Sequence, residues 1–290
     1  MTQGQINGRP FSLEDSIFIP KDISTYPSDN PHQRVVTVDN PDDIEGGFSF
    51  DSTYPYIDKS PKFRFNWAVG FFVLWFGAAL INKLKFGLKI EGKKNLRPYK
   101  DKLKKGALAI SNHVYRMDAV CVNMALRPFR RFIIPMYSRH FNGKDVWFLR
   151  YVGGIPVAET RDGMRKFDEA MDYYHEKGRW ALVFPEAVRW DFYPLLRPFR
   201  KGAFTLAHKW DCPVVPCFIT CRKRTGIHKL FGNEDDPLLT VHVCEPVLPD
   251  MTLDRKRDSE RMISICRERM EKAGGILQNA WSQDTPSVQG

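Results

Sequence analysis

Residues 106–118 read GALAISNHVYRMD, and this stretch decides the fold class. Residues 106–111 are a short apolar run after the charged segment 100–105, as a buried strand requires, and residues 119–126 are apolar enough for a helix. Between strand and helix lie His113 and Asp118, five residues apart. On one helix they would diverge by about 140°, because each residue turns the chain by about 100°. They meet only if His113 sits in the loop and Asp118 opens the helix. A carboxylate held there fixes the imidazole tautomer and raises its basicity. The loop also lies beyond the carboxyl end of a strand, where open α/β sheets bind ligands.

The spacing by itself is not specific, with seven His in 290 residues. A second pair at the same spacing, His140 and Asp145, follows no apolar strand, and Asn142-Gly143 between them reads as a turn. It serves as a decoy for the first.

Outward from this unit the pattern alternates. Residues 86–91 (FGLKIE) alternate as a half-buried strand does, and 131–136, 154–157, 180–184 (WALVF), 214–220 and 238–243 read as further strands. Asp162 is a candidate cap for a helix with Phe167, Ala170, Met171 and Tyr174 on one face. Residues 201–210 read as a helix, and 252–273 as another that stops at Gly274-Gly275. No internal repeat is present. Strands alternating with helices predict an α/β layered domain with a mixed, largely parallel sheet over residues 86–275, followed by a tail at 276–290.

Residues 67–81 (WAVGFFVLWFGAALI) contain no charge and are flanked by Lys62, Arg64, Lys83 and Lys85. Fifteen helical residues reach about 22 Å, short of a hydrocarbon core of about 30 Å. Three readings are open: an interfacial or re-entrant anchor with tryptophans at the headgroups, a span of a thinned bilayer, or a buried core helix. The basic flanks favour the membrane, so residues 62–85 are expected to form a membrane-associated helix. Residues 1–61 hold 4 Lys+Arg against 10 Asp+Glu and are rich in Pro, Asp, Ser and Asn, which predicts an extended or disordered region lying over the fold.

The formal net charge is +10, and residues 62–290 alone carry +16, so anionic company is expected. The composition, 43% hydrophobic and 27% charged, excludes a disordered chain, a fibrous repeat and a polytopic membrane protein. No helix-turn-helix, RNA-binding or zinc signature appears, which argues against a nucleic-acid partner. The six cysteines form no CxxC pair and sit mostly in apolar runs, so buried reduced thiols are expected and no metal site. Residues 1–11 lack the basic and apolar regions of a signal peptide.

The motifs NHVYRMD (112–118), GGIPV (153–157), FPE (184–186), FRKGA (199–203) and PVVP (213–216), in that order, resemble the lysophospholipid acyltransferases, the 1-acylglycerol-3-phosphate acyltransferase family. The resemblance covers about residues 86–245. It implies an acyltransferase-like α/β fold in which a fatty acyl group passes from an acyl thioester to the hydroxyl of a lysophospholipid. It implies His113 as general base, Asp118 as its orienting carboxylate, Glu186 as holder of the acceptor or its loop, and Arg189, Lys201 and Arg161 as cations for the acceptor phosphate. Backbone N–H groups at the helix start near Asp118 are candidates for oxyanion stabilisation. No GxSxG nucleophile elbow is present, which fits direct transfer. The donor is acyl-CoA or acyl carrier protein, no cofactor is implied, and the expected location is the cytoplasmic face of a membrane.

Other readings stand beside these. Glu186 has a second reading as a solvated strand-end carboxylate, Arg189, Arg197, Arg200 and Lys201 as a generic basic patch, and Arg161 as the start of a helix. After FPE the family has Gly-Thr-Arg-Ser, whereas this chain has Ala187-Val188-Arg189-Trp190, which implies an altered loop and acceptor pocket. The alternative function is a catalytically weak or inactive member that binds anionic membrane lipid.

Overall fold

A computed structural model describes residues 1–6, 8–27, 29–33, 50–127, 130–141, 146–233 and 235–282. The decoy partner Asp145 lies outside the described residues. The chain opens with an antiparallel hairpin, β1 (Thr2–Ile6) and β2 (Arg9–Leu13), followed by a long helix, α1 (Pro61–Leu84). Then come β3 (Lys89–Glu91), α2 (Lys100–Lys104), β4 (Leu108–Ser111), α3 (Asp118–Leu126), β5 (Ile134–Met136), α4 (Val146–Tyr151), β6 (Gly154–Pro156) and α5 (Arg161–Glu176). β7 (Ala181–Val183), α6 (Gly202–Lys209), β8 (Val214–Arg222), β9 (Leu238–Val243), α7 (Arg255–Ala273) and β10 (Ile276–Gln278) complete the order.

The central five-stranded sheet runs β3-β9-β8-β4-β7. Only the β8–β9 pair is antiparallel; β3–β9, β4–β8 and β4–β7 are parallel. The sheet is thus mixed and largely parallel, as the alternating pattern predicts. Side chains on a strand point alternately to its two faces, and the core divides accordingly. Leu108, Ile110 and Val214 pack with Phe167, Phe204 and Met262 of α5, α6 and α7, while Ala109, Leu182 and Val215 pack with Cys121, Val122 and Ala125 of α3. The result is three layers. All six cysteines are free and buried in these two cores, and burial pushes each thiol up.

α1 is longer than its uncharged stretch. Ser60 caps it, accepting from the Phe63 N–H, and Pro61 takes the first turn where its missing N–H costs nothing. Its 24 residues extend about 36 Å, enough to cross a bilayer by length. Phe71, Trp75 and Ala79 form a buried stripe against Val120 and Met124 of α3, and the Trp75 Nε1–H donates to Asn123 Oδ1 at 2.6 Å. The opposite side, including Phe65, Phe72, Val73 and Phe76, is exposed. Neither a buried core helix nor a separate stalk describes it: α1 lies along the domain as a fourth layer.

The acidic N-terminal region departs from the expected disorder wherever it is described. β1 and β2 form a three-stranded sheet with β10, and Ile6, Phe11, Leu13, Ile17 and Tyr26 are buried in the main core. Residues 276–282 are likewise no tail: β10 pairs with β2, and Trp281 is buried with its Nε1–H donating to Tyr193 Oη at 2.9 Å. Helix ends also shift slightly. Thr160, not Asp162, caps α5 through its hydroxyl and Gly163 N–H, and Asp254 caps α7.

Candidate active site

The register of the sheet assembles the site. Ile110 of β4 lies beside Val183 of β7 in parallel, and His113 and Glu186 each stand three residues further on. Both chains therefore leave the sheet at the same edge, and the His113 backbone N–H donates to Glu186 Oε2 at 3.0 Å. Asn112 stabilises this exit. Its side-chain amide donates to Ile219 O at 3.0 Å and accepts from Ile219 N–H at 2.8 Å, mimicking a strand where β4 has ended.

His113 Nδ1 lies 2.7 Å from Asp118 Oδ2. The same oxygen accepts from the N–H groups of Val114 at 3.1 Å and Tyr115 at 3.4 Å. With two backbone N–H groups donating to it, Oδ2 is an acceptor, and the tautomer that complements it carries a proton on His113 Nδ1 and leaves Nε2 as the acceptor. Asp118 is the first residue of α3, where the helix dipole favours a negative charge. It is 2% exposed, while the His113 side chain remains 24% exposed. The imidazole is held flat by Phe184, ring centroids 4.3 Å apart at 19°. A base with one nitrogen anchored and the other open can take a proton from a hydroxyl. Several amides around the helix start are already engaged: those of Val114 and Tyr115 bond Asp118, and those of Asp118, Val120 and Cys121 bond backbone carbonyls.

Glu186 is 1% exposed, so it is no solvated strand-end carboxylate. Its partner is Arg197, 0% exposed, with Nη2 at 2.8 Å from Oε2 and the Arg197 backbone N–H at 2.9 Å from Oε1. Arg197 also donates to Val188 O and, at 2.9 Å, to Pro31 O. His32 and Gln33 complete the surround: His32 Nδ1 sits 3.0 Å from Glu186 O, and the Trp190 indole N–H donates to Gln33 O at 2.8 Å. Burial, with Arg200 and Arg197 nearby, holds His32 below its ordinary value, so it is a neutral donor to that carbonyl. Glu186 thus holds the loop and the His113 backbone together. Arg197 and His32 are the residues of this cluster whose place sequence reasoning missed; Arg197 was read only as one cation of a generic basic patch, and His32 lay inside the acidic region.

The remaining predicted residues are spread out. Arg189 is exposed on the same loop, its Nε 2.7 Å from Asp191 Oδ1. Lys201 precedes α6 and pairs with Glu260 of α7 at 2.6 Å. Arg161 begins α5. No hydrogen bond or ion pair among the described residues links Arg161 or Lys201 to His113, Asp118 or Glu186. Ala187, which replaces the family glycine, has a φ of +69°. It keeps a left-handed turn that glycine favours, at a cost of about 1 kcal/mol.

Residues 87–220 match the family model described as Acyltransferase. A Caenorhabditis elegans protein named for 1-acyl-sn-glycerol-3-phosphate acyltransferase is 28% identical over 109 residues, 37% of this chain and 39% of that protein. The 1-acyl-sn-glycerol-3-phosphate acyltransferase of Saccharomyces cerevisiae is 24% identical over 174 residues, 58% of this chain and 54% of the yeast protein. The chain therefore spans about half or less of the length of these curated relatives. The crystal structure of the 1-acyl-sn-glycerophosphate (LPA) acyltransferase PlsC from Thermotoga maritima aligns with a TM-score of 0.45 at 18% identity, covering 73% of this chain and 84% of that one. The matched residues hold the His113–Asp118 loop, GGIPV, FPE, FRKGA and PVVP in that order, so residues 87–220 form a domain similar to the acyltransferase family and to the named 1-acyl-sn-glycerol-3-phosphate acyltransferases.

Proposed function

We propose that this domain transfers a fatty acyl group from an acyl thioester to the free hydroxyl of a lysophospholipid, 1-acylglycerol-3-phosphate or a near relative of it. The observation that carries the proposal is His113, anchored at Nδ1 by buried Asp118 and open at Nε2. Nε2 takes the hydroxyl proton as the oxygen attacks the thioester carbonyl. The C–S bond then breaks, and the imidazolium returns its proton to the departing thiolate. The step balances with no redox group and no covalent acyl-enzyme. Glu186, held by Arg197, fixes the loop that carries His113, and Arg189 is the cation of that loop nearest in sequence for the acceptor phosphate. Lys201 and Arg161 are assigned to the same anion as outer cations. The exposed apolar face of α1 seats the domain on the cytoplasmic face of a membrane, where a lysolipid acceptor resides.

The test is acyl transfer from labelled acyl-CoA and acyl carrier protein to a panel of lysolipids. His113→Ala is expected to lose about 10²–10⁴-fold in turnover. His140→Ala, the decoy, is expected to keep it. Equal activity in wild type and His113→Ala would overturn the mechanism. Vesicle binding without transfer to any acceptor would favour the inactive lipid-binding reading.

A further inference from the structure

We propose that the turn Gly226–Phe231 is a second membrane-inserting element, which joins the outward face of α1 in seating this end of the molecule on an anionic lipid bilayer. The inference rests on the membrane reading of α1 and goes beyond it by adding a contact and an orientation. Ile227, Leu230 and Phe231 are 67%, 81% and 50% exposed, and no residue of the turn is buried. Large apolar side chains grouped on one short turn mark a contact surface rather than scattered exposure.

The turn is held to α1. His228 Nδ1 lies 3.0 Å from Leu84 O, and Lys85 Nζ lies 3.0 Å from Asp236 Oδ2. Arg224 braces both sides of the turn, donating to His228 O and to Asp236 O. Leu80, Ile81 and Leu84, all at least 45% exposed, continue the apolar surface along the last turns of the helix.

Charge selects the occupant. Lys83, Lys85 and Lys229 stand in or beside this surface, while Asp235 and Asp236 are paired with Lys21 and Lys85. An apolar patch with a basic rim matches the acyl and headgroup layers of an anionic bilayer.

Topology supplies the reason for the placement. The turn joins the carboxyl end of β8 to the start of β9, and β8 runs parallel to β4. It therefore lies at the His113 end of the sheet. Phe86, just after α1, packs at 4.6 Å against Tyr115 of the catalytic loop. A helix alone can roll about its axis on a membrane; a second anchor at its end fixes the roll and turns the catalytic edge toward the lipid.

The buried native thiols allow single exposed cysteines to be labelled selectively in the full chain. Leu230→Cys, Phe76→Cys and Met251→Cys would each carry an environment-sensitive fluorophore. They would be mixed with phosphatidylcholine/phosphatidylglycerol vesicles containing doxyl-labelled lipid. Labels at 230 and 76 are expected to shift to the blue and be quenched, and the label at 251, just before α7, to stay aqueous. Combined Ile227→Ser, Leu230→Ser and Phe231→Ser substitution is expected to weaken vesicle binding by about tenfold or more. Insertion at 76 with an aqueous label at 230 overturns the turn's role and leaves the membrane reading of α1 standing. No insertion at either position overturns both. A label at 230 shielded without lipid, in a sedimenting dimer, would assign the patch to a second copy of the chain and overturn the bilayer.

Discussion

Arg197 ties the candidate site together from within the core, out of reach of solvent. Its guanidinium and backbone N–H both bind Glu186, which binds the His113 N–H. Two buried charges are tolerated only as a pair; removing one strands the other. Arg197→Met is therefore expected to cost about 3–5 kcal/mol, read from the denaturant midpoint, with a matching fall in acyl transfer. Adding Glu186→Gln removes the stranded charge and is expected to restore most of that stability. If single and double variants unfold alike, the pair has no structural role. His113 and Asp118 were legible because the strand before them and the helix after them force them together. Arg197 was not, because in sequence it is one cation among four, and only the fold reveals which of them has no water around it. Ala187 teaches the converse: the motif lacks its glycine, yet the backbone there takes a left-handed φ that glycine favours.

At the scale of elements, the buried strands were readable from short apolar runs, and α5 from its periodicity. β1 was not. Its TQGQI has one apolar residue to bury, Ile6, and the sheet it joins is completed by β10 at the far end of the sequence. Composition described the charge of the N-terminal region correctly but did not show that its described part is ordered against the fold, because sparse hydrophobes such as Phe11, Leu13 and Tyr26 were enough once a ready core received them. α1 was legible as apolar; its seat on α3 was not. That seat makes a prediction. Trp75→Phe leaves Asn123 Oδ1 buried without its donor and is expected to destabilise by about 1–3 kcal/mol in a denaturant titration. A helix that merely tethered the domain to a bilayer would show no such loss.

For the whole molecule, three histidines share one direction. Burial is the largest cause holding His32, His175 and His242 below their ordinary value of 6.5. For His242 this prevails although Glu91 pulls the other way. The unfolded chain thus binds these protons more readily than the folded one. Their contribution to stability is complete above pH 6.5 and is lost as the pH falls from there through the folded values. The melting temperature is expected to fall between pH 7 and about pH 5.5, before most carboxylates titrate, and His242→Gln is expected to flatten part of that slope. A constant or rising melting temperature over the window would contradict it.

The pairing of β2 with β10 has a kinetic consequence. Leu13 and Ile276 are register partners, so that ladder closes a loop of nearly the whole chain. During synthesis the central sheet can form as its strands emerge, but the hairpin must wait for the last strand before its own sheet is complete. Loop-closure entropy grows only slowly with length, so the delay costs little at equilibrium; it bears on the order of events. Residues 29–33, which surround Glu186 and Arg197, follow this hairpin in sequence. A nascent chain stalled short of β10 would carry the histidine and its carboxylate with their outer wall unsecured, so competence for chemistry is expected to arrive only once β10 has been made.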